Sequence, residues 1–411
     1  MNLKSRLYTS AFLTLFLGCA LPALAQGSNT ALSSSQKAGK YLVTLRLPEG
    51  GLVAGEEQQI EFRIIDTSRE DPVLGPAPVI RAVAKSTIVM PAMSSMPAAE
   101  ETAHPEGVPG DYGLHPSFAH GGDFLLTLRI SPPADQPFTL VFPLKVGDES
   151  PGQKPRPKPF QVQLRTEPGR VKAGEPATLK ATVWSNRETP GPDGRPSGKR
   201  KLEQVRAFDL VHERRMHLII VRKDLSFFTH QHPEIQPDGS FVLAGFVFPT
   251  AGDYQLFFDT APKDAGGQVI ISAIRVEGKS ADVPKSAVVG ERLAPQAVDG
   301  VQVALKDARA LTPRKTLPFT ITFRAADSGN PILDLQPYLG AMGHMIMIHD
   351  DAQTFVHAHP DERDPQNGKQ GELTFLARPP KPGLYHLWVE FQRQNKVGTA
   401  EFVIEVRGSE R

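Results

Sequence analysis

The chain has 411 residues, of which 46 are basic and 45 acidic, so its net charge is only +1. This length exceeds one ordinary core, and the balanced charge gives no reason to expect a nucleic-acid partner. Glycine (35) and proline (38) are plentiful, while 40% of residues are hydrophobic. That composition is typical of a folded, turn-rich β protein rather than a disordered chain.

The first 25 residues have the pattern of a secretory signal peptide. Lys4 and Arg6 precede an apolar run, and an A-x-A cleavage site follows at 23–25. We therefore predict cleavage after Ala25 and a periplasmic or extracellular location. Processing at Cys19 with a lipid anchor is the alternative. No later run approaches 18 apolar residues, so we expect no transmembrane helix in the mature chain.

Short alternating runs, such as YLVTLRL (41–47) and FLLTLRI (124–130), recur between Gly, Pro and Asp residues. These runs predict an all-β chain of three tandem immunoglobulin-like or cupredoxin-like antiparallel β-sandwich modules. A Pro-rich linker at 147–159 and a second linker at 278–297 separate the predicted modules. We call them module one (38–146), module two (160–277) and module three (298–407).

One motif, Gly-x-aromatic-x-Leu, occurs once in each module. In modules two and three it reads Gly252/Tyr254/Leu256 and Gly383/Tyr385/Leu387, and module one has Gly122/Phe124/Leu126. Since side chains alternate along a strand, the aromatic residue and the leucine share one face. We predict that they are core residues that follow a glycine turn.

A histidine pattern, His-x12-His-x-His-Pro, occurs in modules two and three. The module-two triplet is His217, His230 and His232, and the module-three triplet is His344, His357 and His359. Each pattern reads as a strand, a turn and a returning strand, so the first histidine comes within cross-strand reach of the others. The last two share a face. Three imidazoles at one end of a sandwich predict a metal site.

Copper is the predicted ion, with Cu(II) or Cu(I) both allowed and zinc as the alternative. Imidazole binds copper and zinc, and thioether sulfur selects Cu(I). Met216 and Met342 stand beside the two triplets, while the only cysteine, Cys19, is removed with the signal peptide. Met345 and Met347 fall on the strand face opposite His344 and are expected in the core or on the sheet surface rather than as ligands.

Several catalytic motifs are excluded by single positions. The run HERRMH (212–217) lacks the second histidine of a zincin helix, because Met216 stands there. A blue-copper site needs a cysteine ligand, which the mature chain lacks. His386 is predicted at the surface. We expect a non-enzymatic protein, with a metal enzyme built on a histidine triplet as the weaker alternative.

Module one carries VMPAMSSMP (89–97) followed by GDYGLHPSFAHGGDFLLTL (110–128). On these motifs it resembles the YtkA-like and FixH-like extracytoplasmic domains, which are immunoglobulin-like modules associated with copper handling. The resemblance implies copper ligands at Met90, Met93 and His120. Modules two and three resemble bacterial secreted β-sandwich domains that occur beside heavy-metal proteins.

The sequence thus favours a periplasmic copper-binding protein, either a chaperone or a scavenger, with a cuproenzyme or a copper transporter as its partner. The alternative is an envelope scaffold of immunoglobulin-like modules, in which the histidines are hydrogen-bonded residues at the rim of each sandwich. A test of metal binding distinguishes the copper-binding hypothesis from the scaffold hypothesis, because a metal that binds only the folded state raises the stability of the protein.

Overall fold

The structure is a computed structural model that describes residues 33–48, 50–55, 57–93, 98–148, 159–186, 188–190, 196–263, 265–278, 292–306, 311–360 and 367–408. The predicted signal peptide and Cys19 lie outside these residues. Within them the chain forms strands and one short 3-10 helix (Pro91–Met93). None of the helices found among the described residues is long and apolar enough to cross a membrane.

Module one has two facing sheets, ordered β1-β2-β4-β9-β8, with β5 beside β4, and β3-β11-β10-β6-β7. Its strands are β1 (Ser33–Ala38), β2 (Tyr41–Arg46), β3 (Leu52–Val53), β4 (Ile60–Asp71), β5 (Gly75–Pro78), β6 (Val83–Val89), β7 (Ala99–Thr102), β8 (His104–Pro105), β9 (Asp111–Leu114), β10 (Gly122–Ser131) and β11 (Phe138–Gly147).

Module two has sheets ordered β12-β14-β22-β21, with β17 beside β14, and β13-β24-β23-β19-β20, with β18 beside β23; β15 and β16 form a separate hairpin. Its strands are β12 (Phe160–Glu167), β13 (Val171–Lys172), β14 (Pro176–Ser185), β15 (Glu188–Pro190), β16 (Pro196–Arg200), β17 (Glu203–Gln204), β18 (Phe208–Asp209), β19 (Met216–Arg222), β20 (Phe228–Gln231), β21 (Glu234–Ile235), β22 (Phe241–Val247), β23 (Gly252–Pro262) and β24 (Gln268–Glu277).

Module three has sheets ordered β25-β26-β27-β31 and β28-β32-β29-β30, with β33 beside β32. Its strands are β25 (Gln296–Val298), β26 (Val301–Leu305), β27 (Leu317–Ala325), β28 (Leu335–Gln336), β29 (His344–His349), β30 (Phe355–Ala358), β31 (Glu372–Ala377), β32 (Gly383–Arg393) and β33 (Lys396–Val406). The predicted fold class, three tandem antiparallel β-sandwiches, is confirmed.

The Gly-x-aromatic-x-Leu residues lie where the motif predicts. Tyr254, Leu256, Tyr385 and Leu387 are fully buried in the cores of their modules. Each glycine has a φ between +135° and +143°, a region that L side chains rarely adopt. Both tyrosine hydroxyls donate to the carbonyl four residues upstream, 2.8 Å away for Tyr254 and 2.9 Å for Tyr385. These bonds pin the start of each long strand.

Modules two and three pack face to face through the sheets that carry the histidine hairpins. On β19, Met216, Leu218 and Ile220 point into the module-two core, while Ile219 and Val221 join a different apolar cluster. This interface cluster also takes in Ile346, Ile348 and Trp388 of module three. Because both faces of β19 and β29 are covered, their sequences are apolar almost throughout.

Two aromatic stacks lie across this interface. Phe228 stacks on Trp388 at 4.5 Å between ring centroids, and Phe257 stacks on Phe355 at 5.2 Å. Phe227, the neighbour of Phe228, packs against the module-two core instead. Side chains therefore alternate along FFTHQH (227–232), and the face with the histidines is the one that meets module three.

Candidate metal centre

Each triplet is assembled by one hairpin. In module two, β19 and β20 pair with Ile219 opposite His230, which sets His217 and His230 on the same face. In module three, β29 and β30 pair with Ile346 opposite His357 in the matching register. The histidine spacing thus reflects strand register, as the sequence predicts.

The ring nitrogens of each triplet converge. In module two, Nδ1 of His217 lies 2.9 Å from Nε2 of His230 and 3.2 Å from Nε2 of His232. In module three, Nδ1 of His344 lies 3.3 Å from Nε2 of His357 and 3.0 Å from Nε2 of His359. Two nitrogens bound to one ion at about 2.0–2.1 Å in tetrahedral geometry would lie about 3.3 Å apart. The three predicted ligands of each site are therefore placed as one ion requires.

A tight turn before each first strand fixes the tautomer of the first histidine. The turns are bridged by Val211 with Arg214 and by Tyr338 with Ala341. Their central residues, 212–213 and 339–340, all have positive φ, as in a type I′ turn. The turn points one carbonyl at the ring: Nε2 of His217 donates to Val211 O (2.8 Å) and Nε2 of His344 donates to Tyr338 O (2.9 Å). Nδ1 of each ring is therefore left with its lone pair.

A carboxylate from the opposite module fixes the second histidine. Nδ1 of His230 donates to Oε2 of Glu390, 2.6 Å away, and Nδ1 of His357 donates to Oδ2 of Asp259, 2.8 Å away. When the ring is neutral, its Nε2 carries the lone pair. A second partner of this kind fixes ring orientation and raises the basicity of a ligating histidine.

When the first two rings of a triplet are neutral, two lone pairs face each other, at 2.9 Å in module two and at 3.3 Å in module three. A proton or a metal cation between the two nitrogens removes that repulsion. Burial lowers the pKa of His217 and of His344 well below the ordinary value, which disfavours a proton there. The donor set therefore fits a metal ion.

Burial also lowers the pKa of His359 well below its ordinary value. Burial lowers the pKa of His232 to about 3 and that of His357 to about 3, with neighbouring histidines as a further cause. Burial raises the pKa of Asp259 to about 7. A buried carboxylate is costly without a compensating cation.

The two triplets belong to one cluster of imidazoles. The ring centroids of His217 lie 5.4 Å from His357 and 6.2 Å from His344, and those of His230 lie 5.8 Å and 6.0 Å from the same two rings. Any two ions held by the triplets would share the interface between modules two and three. The sequence did not predict this contact.

A seventh histidine breaks the symmetry. His212 stacks on His359 with 3.5 Å between centroids. Its Nε2 is buried and has no hydrogen-bond partner among the described residues. The matching turn position in module three is Leu339, also at positive φ. His212 thus reaches from module two over a ligand of module three.

A cleft of about 640 Å³ opens beside the module-three triplet. It is lined by Glu61, Glu106 and Gly107 of module one, Asp259 of module two, and His357 and His359. Module one also touches module two through a small apolar contact of Val108 with Val211 and Ala261. The module-three triplet therefore lies at the junction of all three modules.

The two methionines predicted as ligands of the triplets pack in or against the module cores. Met216 points into the module-two core, on the face opposite His217, and Met342 packs against the module-three core. Met345 and Met347 are core residues, the first of the two structural positions expected for them. The thioether support for copper at the triplets is correspondingly weaker.

In module one, the three positions implied by the family resemblance have different surroundings. Met90 packs against the core, Met93 is 45% exposed in the 3-10 helix, and His120 bonds through Nδ1 to Gly121 O at 3.1 Å. Their role as copper ligands stays a prediction.

Module one has another group that could hold an ion: Glu101, His104 and His115. The two rings stack at 4.8 Å between centroids, and Nδ1 of His115 lies 4.0 Å from Oε1 of Glu101. That separation is close to the widest that two ligands at about 2.0 Å from one ion can have. The group is a looser arrangement than either triplet.

The prediction that His386 lies at the surface is wrong. The side chain is on the face of β32 opposite Tyr385, as the alternation requires, but the residue is only 2% exposed. Its Nδ1 lies 3.3 Å from Oε1 of Glu401, and its ring lies 5.7 Å from Trp388. The alternation was right, but no pattern within one strand indicates that a second module covers this face.

Asp259 and Glu390 were missed, although a signal exists. Each stands seven residues after the glycine of Gly-x-aromatic-x-Leu, directly after three apolar residues, LFF (256–258) and LWV (387–389). An acid at the same position of two buried strands needs a partner.

Comparisons with known proteins are consistent with a duplicated domain. The family described as a domain of unknown function (DUF8832) matches residues 159–279 and again residues 296–408. A comparison with curated proteins gives no match.

Among solved structures, the chain is similar to FetP of uropathogenic Escherichia coli strain F11 (16% identity, 28% of this chain and 95% of that chain, TM-score 0.23). It is also similar to the E. coli adhesin FdeC (14% identity, 92% of this chain and 100% of that chain, TM-score 0.19). A Ca²⁺-stabilised adhesin of an Antarctic bacterium matches at 9% identity, over 91% of this chain and 75% of that chain, with a TM-score of 0.18. These TM-scores are too low to say anything about function.

Proposed function

Since this chain belongs to the family described as a domain of unknown function (DUF8832), a description that assigns no activity, we propose its function from the geometry of the two triplets. Modules two and three are a metal-binding pair that holds copper at two tri-imidazole centres. The chain acts as a chaperone or scavenger of copper in the periplasm, after removal of the predicted signal peptide.

The observation that carries this proposal is the convergence of the ring nitrogens in each triplet, while the outer nitrogens of the first two rings donate to a carbonyl and to a carboxylate. When those rings are neutral, both inner nitrogens are acceptors. A hydrogen-bonded rim residue would not leave two acceptors face to face. This favours metal binding over the scaffold alternative.

Copper is favoured over zinc by the ligand type. Both triplets offer three neutral imidazoles, and at nitrogen sites divalent copper binds more tightly than zinc. Three neutral ligands also suit Cu(I). When bound, the ion would be carried as cargo, and the chain's own residues would orient the rings and exclude water from them.

The test is competitive titration of the metal-free full chain with copper and with zinc. We expect two copper ions per chain, and one in the variant that carries His357→Gln and His359→Gln. The matched control is His349→Gln, at the other end of β29, whose Nε2 lies 3.1 Å from Pro382 O rather than in the triplet. A chain that binds no copper, or a triplet variant that still binds two ions, would return the protein to the scaffold alternative.

A further inference from the structure

We infer that the two triplets form a single coupled unit, in which each is completed by a carboxylate of the other module: Glu390 positions His230, and Asp259 positions His357. This inference rests on the proposed function, since it names how binding at those triplets is regulated. Its consequence is that docking of modules two and three and metal binding at either triplet favour one another.

Each of the two carboxylates belongs to one module and bonds to a histidine of the other, an arrangement that we call crossed. On neighbouring strands of the same module, His217 is the register partner of Asp259, and His344 is the register partner of Glu390. Each acid therefore lies beside the first histidine of its own module, yet its hydrogen bond goes to the second histidine across the interface. The bond lengths, 2.6 Å and 2.8 Å, are those of charge-assisted contacts.

Neither acid is a surface residue that meets the other module by chance. Glu390 is 5% exposed and Asp259 is 8% exposed. A buried carboxylate needs a donor, and in the described residues the donor of each is the histidine of the opposite module. If the modules separated, both acids would lose that partner and His230 and His357 would lose their fixed orientation.

The apolar part of the interface makes docking the shared step. The cluster that includes Ile219, Val221, Ile346, Ile348 and Trp388 holds the two sheets in one register. An ion at the module-two triplet acidifies the Nδ1 hydrogen of His230 and strengthens its bond to Glu390. The docked state then gains population, and that state already presents Asp259 to His357. Binding at one triplet thereby prepares the other.

The test uses two full-length chains that each keep one triplet. The first carries His357→Gln and His359→Gln and keeps the module-two triplet. The second carries His230→Gln and His232→Gln and keeps the module-three triplet. Glu390→Gln and Asp259→Asn are added singly to each chain, and copper affinity is measured by competition with a chelator.

The expected pattern is crossed. With only the module-two triplet present, Glu390→Gln should weaken copper binding about 10–100-fold, the usual loss for an outer partner of a metal ligand, while Asp259→Asn should have little effect. With only the module-three triplet present, the two substitutions should exchange roles. A purely local structural role predicts the reverse, because each acid lies beside the first histidine of its own module.

Conservative variants keep the test decisive if an amide variant fails to fold. Glu390→Asp and Asp259→Glu retain the charge and should recover part of the lost affinity at the same crossed triplet, while melting temperatures confirm folding. Loss at the acid's own module, or equal loss at both triplets, would overturn the coupling and leave the proposed function standing. Failure of the unsubstituted chain to bind copper would overturn both.

Discussion

The two triplets have the same nitrogen geometry in different surroundings. Both use one Nδ1 and two Nε2 atoms, one turn carbonyl and one crossed carboxylate. They differ in the neighbouring turn, which has His212 in module two and Leu339 in module three, and in the cleft that reaches only the module-three rings among its lining residues. The two modules share the same set of ligand atoms but differ in the residues around them. Comparing the triplets therefore distinguishes what the ligand atoms contribute to metal binding from what the surrounding turn and cleft contribute to metal access.

The largest expected effect comes from removing the first histidine of either triplet. His217→Ala should abolish tight binding at the module-two triplet, a loss beyond the 10–100-fold typical of outer partners, and should leave one ion per chain. His344→Ala should do the same at the module-three triplet. Competition titration of both variants checks this. If His217→Ala removed both ions, the triplets would not be separate sites.

A second variant tests whether the triplets depend equally on the interface. Trp388→Ala removes a side chain that is 3% exposed and stacked on Phe228. Loss of a buried aromatic residue costs about 3–5 kcal/mol, and part of that cost falls on docking. We expect weaker copper binding at both triplets. Leu387→Ala, on the opposite face of β32, is the control: it should lower stability by a similar amount but affect binding less.

Acid should change the free energy of unfolding of the metal-free chain through two groups, His232 and Asp259, that act in opposite directions. His232 has a pKa of about 3 when folded and about 6.5 when unfolded. Between those values the unfolded chain binds more protons, so this ring makes the free energy of unfolding fall as pH drops. Asp259, raised to about 7, is protonated earlier in the folded chain and works the other way.

We therefore expect the fall in stability from pH 7 to pH 5 to be shallower in His232→Gln and steeper in Asp259→Asn. Urea denaturation of the metal-free chains at pH 7, 6 and 5 measures both. Changes of the same sign in the two variants would show that one of the pKa directions is wrong.

The smallest effect is expected from restoring symmetry. His212→Leu copies Leu339, which adopts the same positive φ, so the turn should tolerate it. Removing a buried nitrogen without a partner should raise the free energy of unfolding by about 1 kcal/mol. Copper binding at the module-two triplet should not change. A lower affinity at the module-three triplet, read from the chain that keeps only that triplet, would show that the stack on His359 serves binding.

Much of the fold and the triplets themselves could be predicted because they depend on local rules. Strand alternation put Tyr254 and Leu256 in the core and set Phe227 and Phe228 on different faces. Hairpin register made a spacing of 13 residues bring His217 to His230. These features need only the periodicity of one strand and the length of one turn.

The rest depends on a contact between modules, and no local rule encodes it. His386 follows the predicted alternation but is buried, on the face of β32 whose Trp388 packs against module two. Glu390 pairs with His230 across 160 residues. Nothing in the period of β32 says which histidine an acid at that position will meet.

The crossed carboxylates have a consequence for how such a protein arises. An interface in which Glu390 serves His230 while Asp259 serves His357 is isologous: each half offers the other the same kind of group. Two copies of a single module could form it as a homodimer. Joining the copies in one chain replaces a concentration-dependent dimer by an intramolecular contact with a high effective concentration. The joined chain can keep the pair assembled when dilute, and each half is free to change alone, as position 212 has.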